Sequence, residues 1–429
     1  MNYEETINYL YNAAPAFEKV GAGAYKEGLS NTHILDKHFN HPHKQFKTIH
    51  IAGTNGKGSC SHTLAAILQS QGYKVGLYTS PHLVDFRERI RVNRECISEE
   101  SVIRFVEKEK SFFEPLQPSF FELTTALAFL FFAEQNVDIA VIEVGLGGRL
   151  DCTNIITPIL SVITNISFDH TQFLGNTLAK IAREKAGIIK NGVPVLVGET
   201  CEETRPVFEQ VAREHDATLY YAEENIIEGD YEFELKGAYQ EKNKNTILNI
   251  VRLLRNQIDI SNDAVINGMK NVCELTGLMG RWQTISNTPL TICDTGHNLA
   301  GWKYLHKQIK ETYEAIRSKT VNTSMLRIVF GMVDDKDIEA VMELLPKNAT
   351  YYYCQASTHR AIPSTRINGI ALKLNISGQA FSTVEEAYNA VRKDAMKDDF
   401  IFIGGSSYVV ADLFTYLKKN IHNKRINIV

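Results

Sequence analysis

An α/β fold with mainly parallel sheets, divided over two domains, is what three observations predict. A glycine-rich loop joins an apolar β-branched run to a helical one within Lys47–Gly72. Strand-length apolar runs alternate with helical ones through most of the chain. A length of 429 residues also exceeds what one ordinary core accommodates.

The composition, 44% hydrophobic and 22% charged, is that of a globular protein. With 46 basic against 50 acidic residues the net charge is −4, so no basic excess favours nucleic acid and any anion site must be local. The 7 cysteines are scattered and form no C-x-x-C pair, which reads as reduced thiols in the cytoplasm. MNYEETINYLYNA is acidic where an export signal is basic. The apolar run Leu123 to Ala133, bounded by Glu122 and Glu134, is too short for a membrane span.

In chain order, a helix is expected at Tyr3 to Asn12, then a loop with Gly21, Gly23 and Gly28, then a helix at Asn31 to Phe39. His38, His41 and His43 lie close together, but Pro42 interrupts them and no carboxylate or cysteine joins, so they read as surface residues rather than a metal site. Thr48 to Ala52 is a strand, Gly53 to Gly58 a loop, and Leu64, Ile67 and Leu68 mark the helix that follows. Glycines there let the N–H groups turn inward, and the helix start adds partial positive charge. This is a phosphate cradle, with Lys57 reaching the terminal phosphates of a nucleotide. A strict Walker A motif would need Gly at Ile51 and Ser or Thr at Gly58.

Lys74 to Thr79 is a second strand, ending at Ser80-Pro81. Asp85 to Asn93 puts Arg87, Arg89 and Arg91 at alternate positions of an expected strand, either a solvated edge or a face for an anionic substrate. Asp138 to Gly145 reads as a buried strand in which Glu143 needs a partner or a cation, and Mg²⁺ suits hard oxygen ligands beside phosphates. Ile159 to Ile166 is another buried strand, followed by Asp169-His170. A lone His there is ordinarily structural; paired with Glu143 at successive strand ends it favours a shared metal. Lys185, on the helix Leu178 to Lys190, reads on its own as a surface lysine.

Glu223 to Leu235 suggests a hairpin excursion, Gly237 to Asn243 opens a helix, and Ser286 to Pro289 reads as the linker, with the boundary near residue 285. Beyond it strands and helices alternate without a second glycine-lysine loop.

The ordered set GTNGKGS (53–59), TSPHL (79–83), F-R-E-R-I (86–90), FELTT (121–125), E-x-G-L-G-G-R-L-D-x-T-N (143–154), D-H (169–170), EKAGI (184–188), GRW (280–282), D-x-G-H-N (294–298), G-x-x-x-D-K-D (331–337) and GGSSY (404–408) covers nearly the whole chain. It resembles the folylpolyglutamate synthase/dihydrofolate synthase family of the Mur ligase superfamily. The resemblance implies an N-terminal P-loop-type mononucleotide-binding domain, residues 1–285, that also takes pteroate or folate, and a smaller Rossmann-like glutamate-binding domain, 286–429.

By similarity, Gly56, Lys57, Gly58, Ser59, Asn243, Arg281 and Asp294 would contact ATP, and Ser80, Glu143 and His170 would hold Mg²⁺. The lysine matching Lys185 is carbamylated in the family. An uncharged amine captures CO₂, and the adduct exchanges a cation for an anion. Lys57, Lys185, His170 and Glu143 form the implied catalytic set. Phe121, Glu122, Arg149, Asp151 and Cys152 would line the pteroate pocket, with Asp294, His297 and Ser406 near glutamate. Two departures are Asp294-Thr-Gly-His-Asn-Leu299 in place of D-G-A-H-N-P, and Cys152 where Ala is common.

The implied reaction joins a carboxylate to the amine of L-glutamate through an acyl phosphate, in a cytoplasmic monomer. A Mur-type ligase of cell-wall precursors would call for a third, N-terminal domain, and the roughly forty residues before the loop are too few for one. A nucleotide-dependent binding protein without ligase chemistry would not need Lys185, His170 and residues 294–298.

Overall fold

The computed structural model describes residues 1–12, 28–320, 323–334 and 337–423. Gly21 and Gly23 of the expected N-terminal loop, and Asp335 and Lys336 of the 331–337 motif, lie outside the described residues. The chain folds as two compact units. The first comprises Met1–Glu234 and Gln240–Leu278, the second Leu235–Tyr239 and Met279–Val429.

The first unit is built on an eight-stranded sheet: β1 (Lys47–Ala52), β2 (Val75–Tyr78), β3 (Ile90–Val92), β4 (Glu95–Cys96), β5 (Ile139–Glu143), β6 (Leu160–Ile163), β7 (Val195–Val197) and β8 (Leu219–Tyr221). Their order is β4-β3-β2-β5-β1-β6-β7-β8, with every neighbouring pair parallel except the two that β3 makes, with β2 and with β4. The central strands β5 and β6 are buried along their whole length, which is why they read as unbroken apolar runs. Helix Phe120–Glu134, through Phe129 and Phe132, and helix Leu178–Ala186, with Phe208, cover neighbouring parts of one face, where Ala140 and Ile142 point the same way as Ala52, Ile163 and Val195.

The second unit carries a six-stranded sheet of β9 (Gln283–Asn287), β10 (Leu290–Asp294), β11 (Leu326–Phe330), β12 (Ala349–Tyr353), β13 (Gly378–Ala380) and β14 (Phe400–Gly404), ordered β13-β12-β11-β14-β10-β9. All neighbours are parallel except β9 with β10. Its core includes Trp302, Phe330, Tyr353 and Phe402. The stretch Ser286 to Pro289, expected as a linker, turns the β9–β10 hairpin, so the boundary expected near residue 285 falls inside that hairpin.

Three further expectations are corrected. Asp85 to Asn93 is not one strand: Phe86–Arg89 is a 3₁₀ turn closed by a reciprocal cap between Asp85 and Glu88, and only Ile90–Val92 is extended. Arg87 pairs with Asp85 at 2.8 Å, and Arg89 is buried, so the three arginines do not form one face. Glu223 to Leu235 contains a 3₁₀ turn, Ala222–Glu224, and no strand. Lastly, a carboxylate does join the histidines. Asp36 meets His41 Nδ1 at 2.6 Å and His43 Nδ1 at 2.7 Å, and His43 is largely buried. No local sequence pattern announces this, because the helix Ser30–His38 turns Asp36 toward the residues that follow it.

Candidate active site

β1 and β5 run parallel in register, with Ile51 beside Glu143, and β1 with β6 likewise, so their carboxyl ends open at one edge of the sheet. Ligand groups gather at such an edge in an open α/β sheet. The loop after β1 is anchored by the segment after β6. Thr54 N donates to Asn165 O at 2.9 Å, Asn55 N to Asn165 Oδ1 at 3.0 Å, and Thr164 Oγ1 to Asn55 O at 2.6 Å.

Gly56 ends the loop in the left-handed region, φ 84°, and a Cβ there would stand 2.4 Å from Asn243 Oδ1. Only glycine suits both conditions. Helix Lys57–Ser70 starts directly afterwards, so Lys57, Gly58 and Ser59 form its first turn, whose N–H groups have no partner inside the helix. Behind this turn Asn243 and Gln240, one helical turn apart, form a bonded pair that reaches Ser59.

Lys57 Nζ donates to Gly53 O at 3.0 Å and Thr54 O at 3.2 Å. Lys185 Nζ donates to the same Gly53 O at 2.8 Å. Lys185 is therefore no surface residue: it is 5% exposed. Burial, and then the neighbouring Lys57 charge, push its ammonium down to about 7. The close packing that buries it runs through Gly148, where a Cβ would lie 2.8 Å from both Glu184 O and Lys185 O.

Ser80 and Glu143 are brought together, Ser80 N donating to Glu143 Oε2 at 3.2 Å. Glu143 is 4% exposed. A buried carboxylate with a hydroxyl residue beside it, at the sheet edge that carries the glycine loop, suits a hard divalent cation. His170 stands on the loop after β6 with its Nε2 3.8 Å from Asp169 Oδ1. Among the described residues no group of three His, Cys, Asp or Glu is arranged around a point that could hold a metal ion.

Of the expected pteroate residues, Glu122 closes a capping box with Ser119 at the start of helix Phe120–Glu134. The Phe121 ring lies against Gly145, where a Cβ would be 2.3 Å from its Cζ. Arg149 donates twice to Glu184 Oε1, at 3.1 and 2.9 Å. Asp151 is buried and organises its own loop, accepting from Gly145 N at 3.0 Å, Leu146 N at 2.9 Å and Thr153 N at 3.0 Å. Burial raises its carboxyl, and raises the Cys152 thiol next to it well above the usual range.

In the second unit Asp294 ends β10, one residue pair from the loop that ends β14. It accepts from Tyr239 Oη at 2.7 Å, Trp282 N at 2.8 Å and Gly296 N at 2.8 Å. Burial raises its carboxyl, against the pull of Arg281. Arg281 binds the Thr295 hydroxyl, and His297 Nδ1 lies 3.1 Å from Thr295 O. Ser406 is buried, its Oγ accepting from Val409 N at 3.2 Å at the start of helix Ser407–Asn423. Asp294, Arg281, His297 and Ser406 thus gather at the carboxyl ends of two paired strands. Tyr239 was not singled out from the sequence, although it lies in the quoted stretch Gly237 to Asn243; its acidic partner is 55 residues away.

Comparison with known proteins gives a family match in each unit. Residues 51–272 match the Mur ligase middle domain, and residues 280–407 the Mur ligase glutamate ligase domain. A dihydrofolate synthase/folylpolyglutamate synthase of Buchnera aphidicola subsp. Schizaphis graminum is 32% identical over 381 residues, covering 85% of this chain and 87% of that protein. A probable bifunctional folylpolyglutamate synthase/dihydropteroate synthase of Haloferax volcanii is 30% identical over 448 residues, and this chain spans 50% of its length. Among solved structures, Escherichia coli FolC in complex with DHPP and ADP superposes with a TM-score of 0.83 at 28% identity, covering 98% of each chain. The bifunctional folylpolyglutamate synthase/dihydrofolate synthase of Yersinia pestis, complexed with AMPPNP and Mn ion, gives 0.83 at 28% identity over 97% of this chain and 98% of that one. With both family domains matched in order, and a relative 32% identical over most of both chains, the chain belongs to the dihydrofolate synthase/folylpolyglutamate synthase family of the Mur ligases.

Proposed function

We propose that this protein is an ATP-dependent carboxylate–amine ligase that adds L-glutamate to dihydropteroate, to reduced folates, or to both. The observation that carries the reading is the phosphate loop with Lys57 and Lys185 converging on Gly53 O. A loop-and-lysine site alone serves many nucleotide proteins; a second lysine kept half-neutral by burial is the addition that a carbamylated ligase needs.

The reaction runs in two steps. The carboxylate oxygen of the folate substrate attacks the γ-phosphorus of ATP, ADP leaves, and an acyl phosphate results. The α-amine of glutamate then attacks the acyl carbon, the C–O bond to phosphate breaks, the amine proton is lost, and inorganic phosphate departs. Lys57 and the first turn of helix Lys57–Ser70 hold the phosphates and offset the charge that develops on them. Ser80, Glu143 and His170 would hold a divalent cation, which supplies further neutralisation of phosphate oxygens. Asn243 braces Gly56, and Arg281 and Asp294 would meet the nucleotide. A carbamate on Lys185 would add an anionic oxygen group in support of the cation site. Phe121, Glu122, Arg149 and Cys152 line the pteroate pocket, which Asp151 shapes through its loop bonds; His297 and Ser406 receive glutamate.

The relatives support the ligands. The Escherichia coli structure is described with ADP and DHPP, and that from Yersinia pestis with AMPPNP and Mn ion. Among the described residues no helix is long and apolar enough to cross a membrane. We place the enzyme in the cytoplasm as a monomer.

The deciding experiment is incubation with ATP, Mg²⁺, glutamate and, separately, dihydropteroate or tetrahydrofolate, with products resolved by mass. A gain of one glutamyl unit with matching ADP release is expected for at least one acceptor. ADP release that needs neither acceptor nor glutamate would overturn the ligase reading. Lys57→Ala is expected to abolish product with either acceptor while leaving the far-ultraviolet circular dichroism unchanged, and retained turnover would remove the phosphate role.

A further inference from the structure

We infer that Gln240 is a positioning residue for the nucleotide, one that leaves the Ser59 hydroxyl as a hydrogen-bond donor toward bound phosphate. The inference rests on the ATP-dependent reading above and adds a residue that the phosphate motif does not contain.

Gln240 is 0% exposed and is the first residue of helix Gln240–Leu254. A primary amide shut away from water must find partners for both of its ends. Which end faces which partner follows from the inventory of donors. Asn243 Nδ2 has only hydrogens to give, and it lies 2.8 Å from Gln240 Oε1. The amide group at the other terminus of Gln240 is then the donor, and Nε2 gives a hydrogen to Ser59 Oγ at 3.1 Å.

Consequences follow for both ends of this relay. One lone pair of the Ser59 hydroxyl is taken, and its single proton remains to be given. Ser59 is the third residue of helix Lys57–Ser70, in the turn whose backbone N–H groups lack helical partners. A proton offered from that position joins those N–H groups in binding an anion. Asn243, while donating to Gln240, sets its Oδ1 against Gly56 and within 3.9 Å of Cys60 Sγ. The relay therefore braces the phosphate turn at Gly56 and at Ser59 from one helix.

The spacing explains how this is built. Residues 240 and 243 are i and i+3, neighbours on one face of a helix. Gln240 also follows directly on Leu235–Tyr239, the segment that folds with the second unit. A plain structural role, filling space at a helix start, would predict tolerance of any side chain of that size and shape.

Calorimetric titration with ADP and Mg²⁺ tests the inference on wild type, Gln240→Met, Gln240→Glu, Ser59→Ala and the Gln240→Met/Ser59→Ala double variant. Gln240→Met keeps the bulk and is expected to weaken ADP by about threefold to tenfold, the effect of one hydrogen bond. Gln240→Glu keeps the shape and the acceptor for Asn243 but loses the donor, and is expected to weaken ADP rather than restore it. In the Ser59→Ala background, Gln240→Met should cost less than it does in the wild type, what remains being the lost acceptor for Asn243 behind Gly56. In steady state the KM for ATP should rise in both single variants at Gln240 while the KM for glutamate holds.

Equal losses from Gln240→Met with and without the Ser59 hydroxyl would overturn the inference, as would wild-type affinity in Gln240→Glu. Should Gln240→Met not fold, the comparison of Gln240→Glu with wild type decides alone. Failure of the wild type itself to bind ADP is a separate result, and it would bring down the ATP-dependent reading.

Discussion

Lys57 and Lys185 share one carbonyl oxygen, an arrangement that their mutual repulsion opposes. Burial first, and the Lys57 charge second, lower the Lys185 ammonium from 10.5 to about 7. Between those two values the unfolded chain binds the extra proton, so this residue's contribution to stability improves as pH rises through that window, and its burial cost is complete below it. Near neutrality a large share of the amine is uncharged and able to take up CO₂. With ¹³C-bicarbonate, NMR is expected to show a carbamate signal that grows as pH rises through about 7 and is missing in Lys185→Arg. A signal of equal strength in that variant would place the adduct on another amine. The lysine in the glycine loop was legible because glycines and a helix start surround it. Lys185 was not, since its burial arises from Gly148 packing onto the helix backbone from a loop more than thirty residues earlier. Only the family likeness pointed to it.

Elements defined by an apolar period were legible, while those defined by partners were not. Strands β1, β5 and β6 were placed to within a few residues, and β10, β11 and β14, mostly buried and rich in apolar residues, carry the alternation expected beyond the linker. β13 and helix Ser364–Lys373 carry little such signal: the strand is three residues long with no buried side chain, and the helix buries only Ser364, Ile367 and Ala371. The stretch Asp85 to Asn93 sets its arginines at alternate positions like a strand, yet the Asp85–Glu88 cap captures Phe86–Arg89 as a 3₁₀ turn. Caps of this kind have measurable weight. Ser119 accepts from Glu122 N at 3.2 Å while Glu122 Oε2 accepts from Ser119 N at 2.5 Å. Ser119→Ala is expected to lose about 1 kcal/mol in denaturant unfolding. If Glu122 serves the pteroate pocket, the same change raises the KM for that substrate but not for ATP. An unaltered pteroate KM would leave Glu122 a helix-capping role alone.

At the level of the whole chain, nucleotide binding should stabilise the first unit by mass action. At about 100 times its Kd, ADP adds about 2.7 kcal/mol to the state that binds it. Hydrogen exchange is expected to slow in residues 53–60 and in 164–167, which bond to the loop. Slowing that skips both stretches would contradict the assigned phosphate site.

The path of the chain between its units has its own bearing on how such proteins are recombined. The polypeptide passes from one unit to the other three times, and Leu235–Tyr239 is a short loan from the first stretch of sequence to the second body. A chimera spliced at Leu278 would graft Asp294 onto a foreign host without Tyr239, the residue whose hydroxyl holds that carboxylate at 2.7 Å. Cassettes exchanged among relatives must therefore carry two separate pieces of sequence, because the heritable module and the folded one do not coincide.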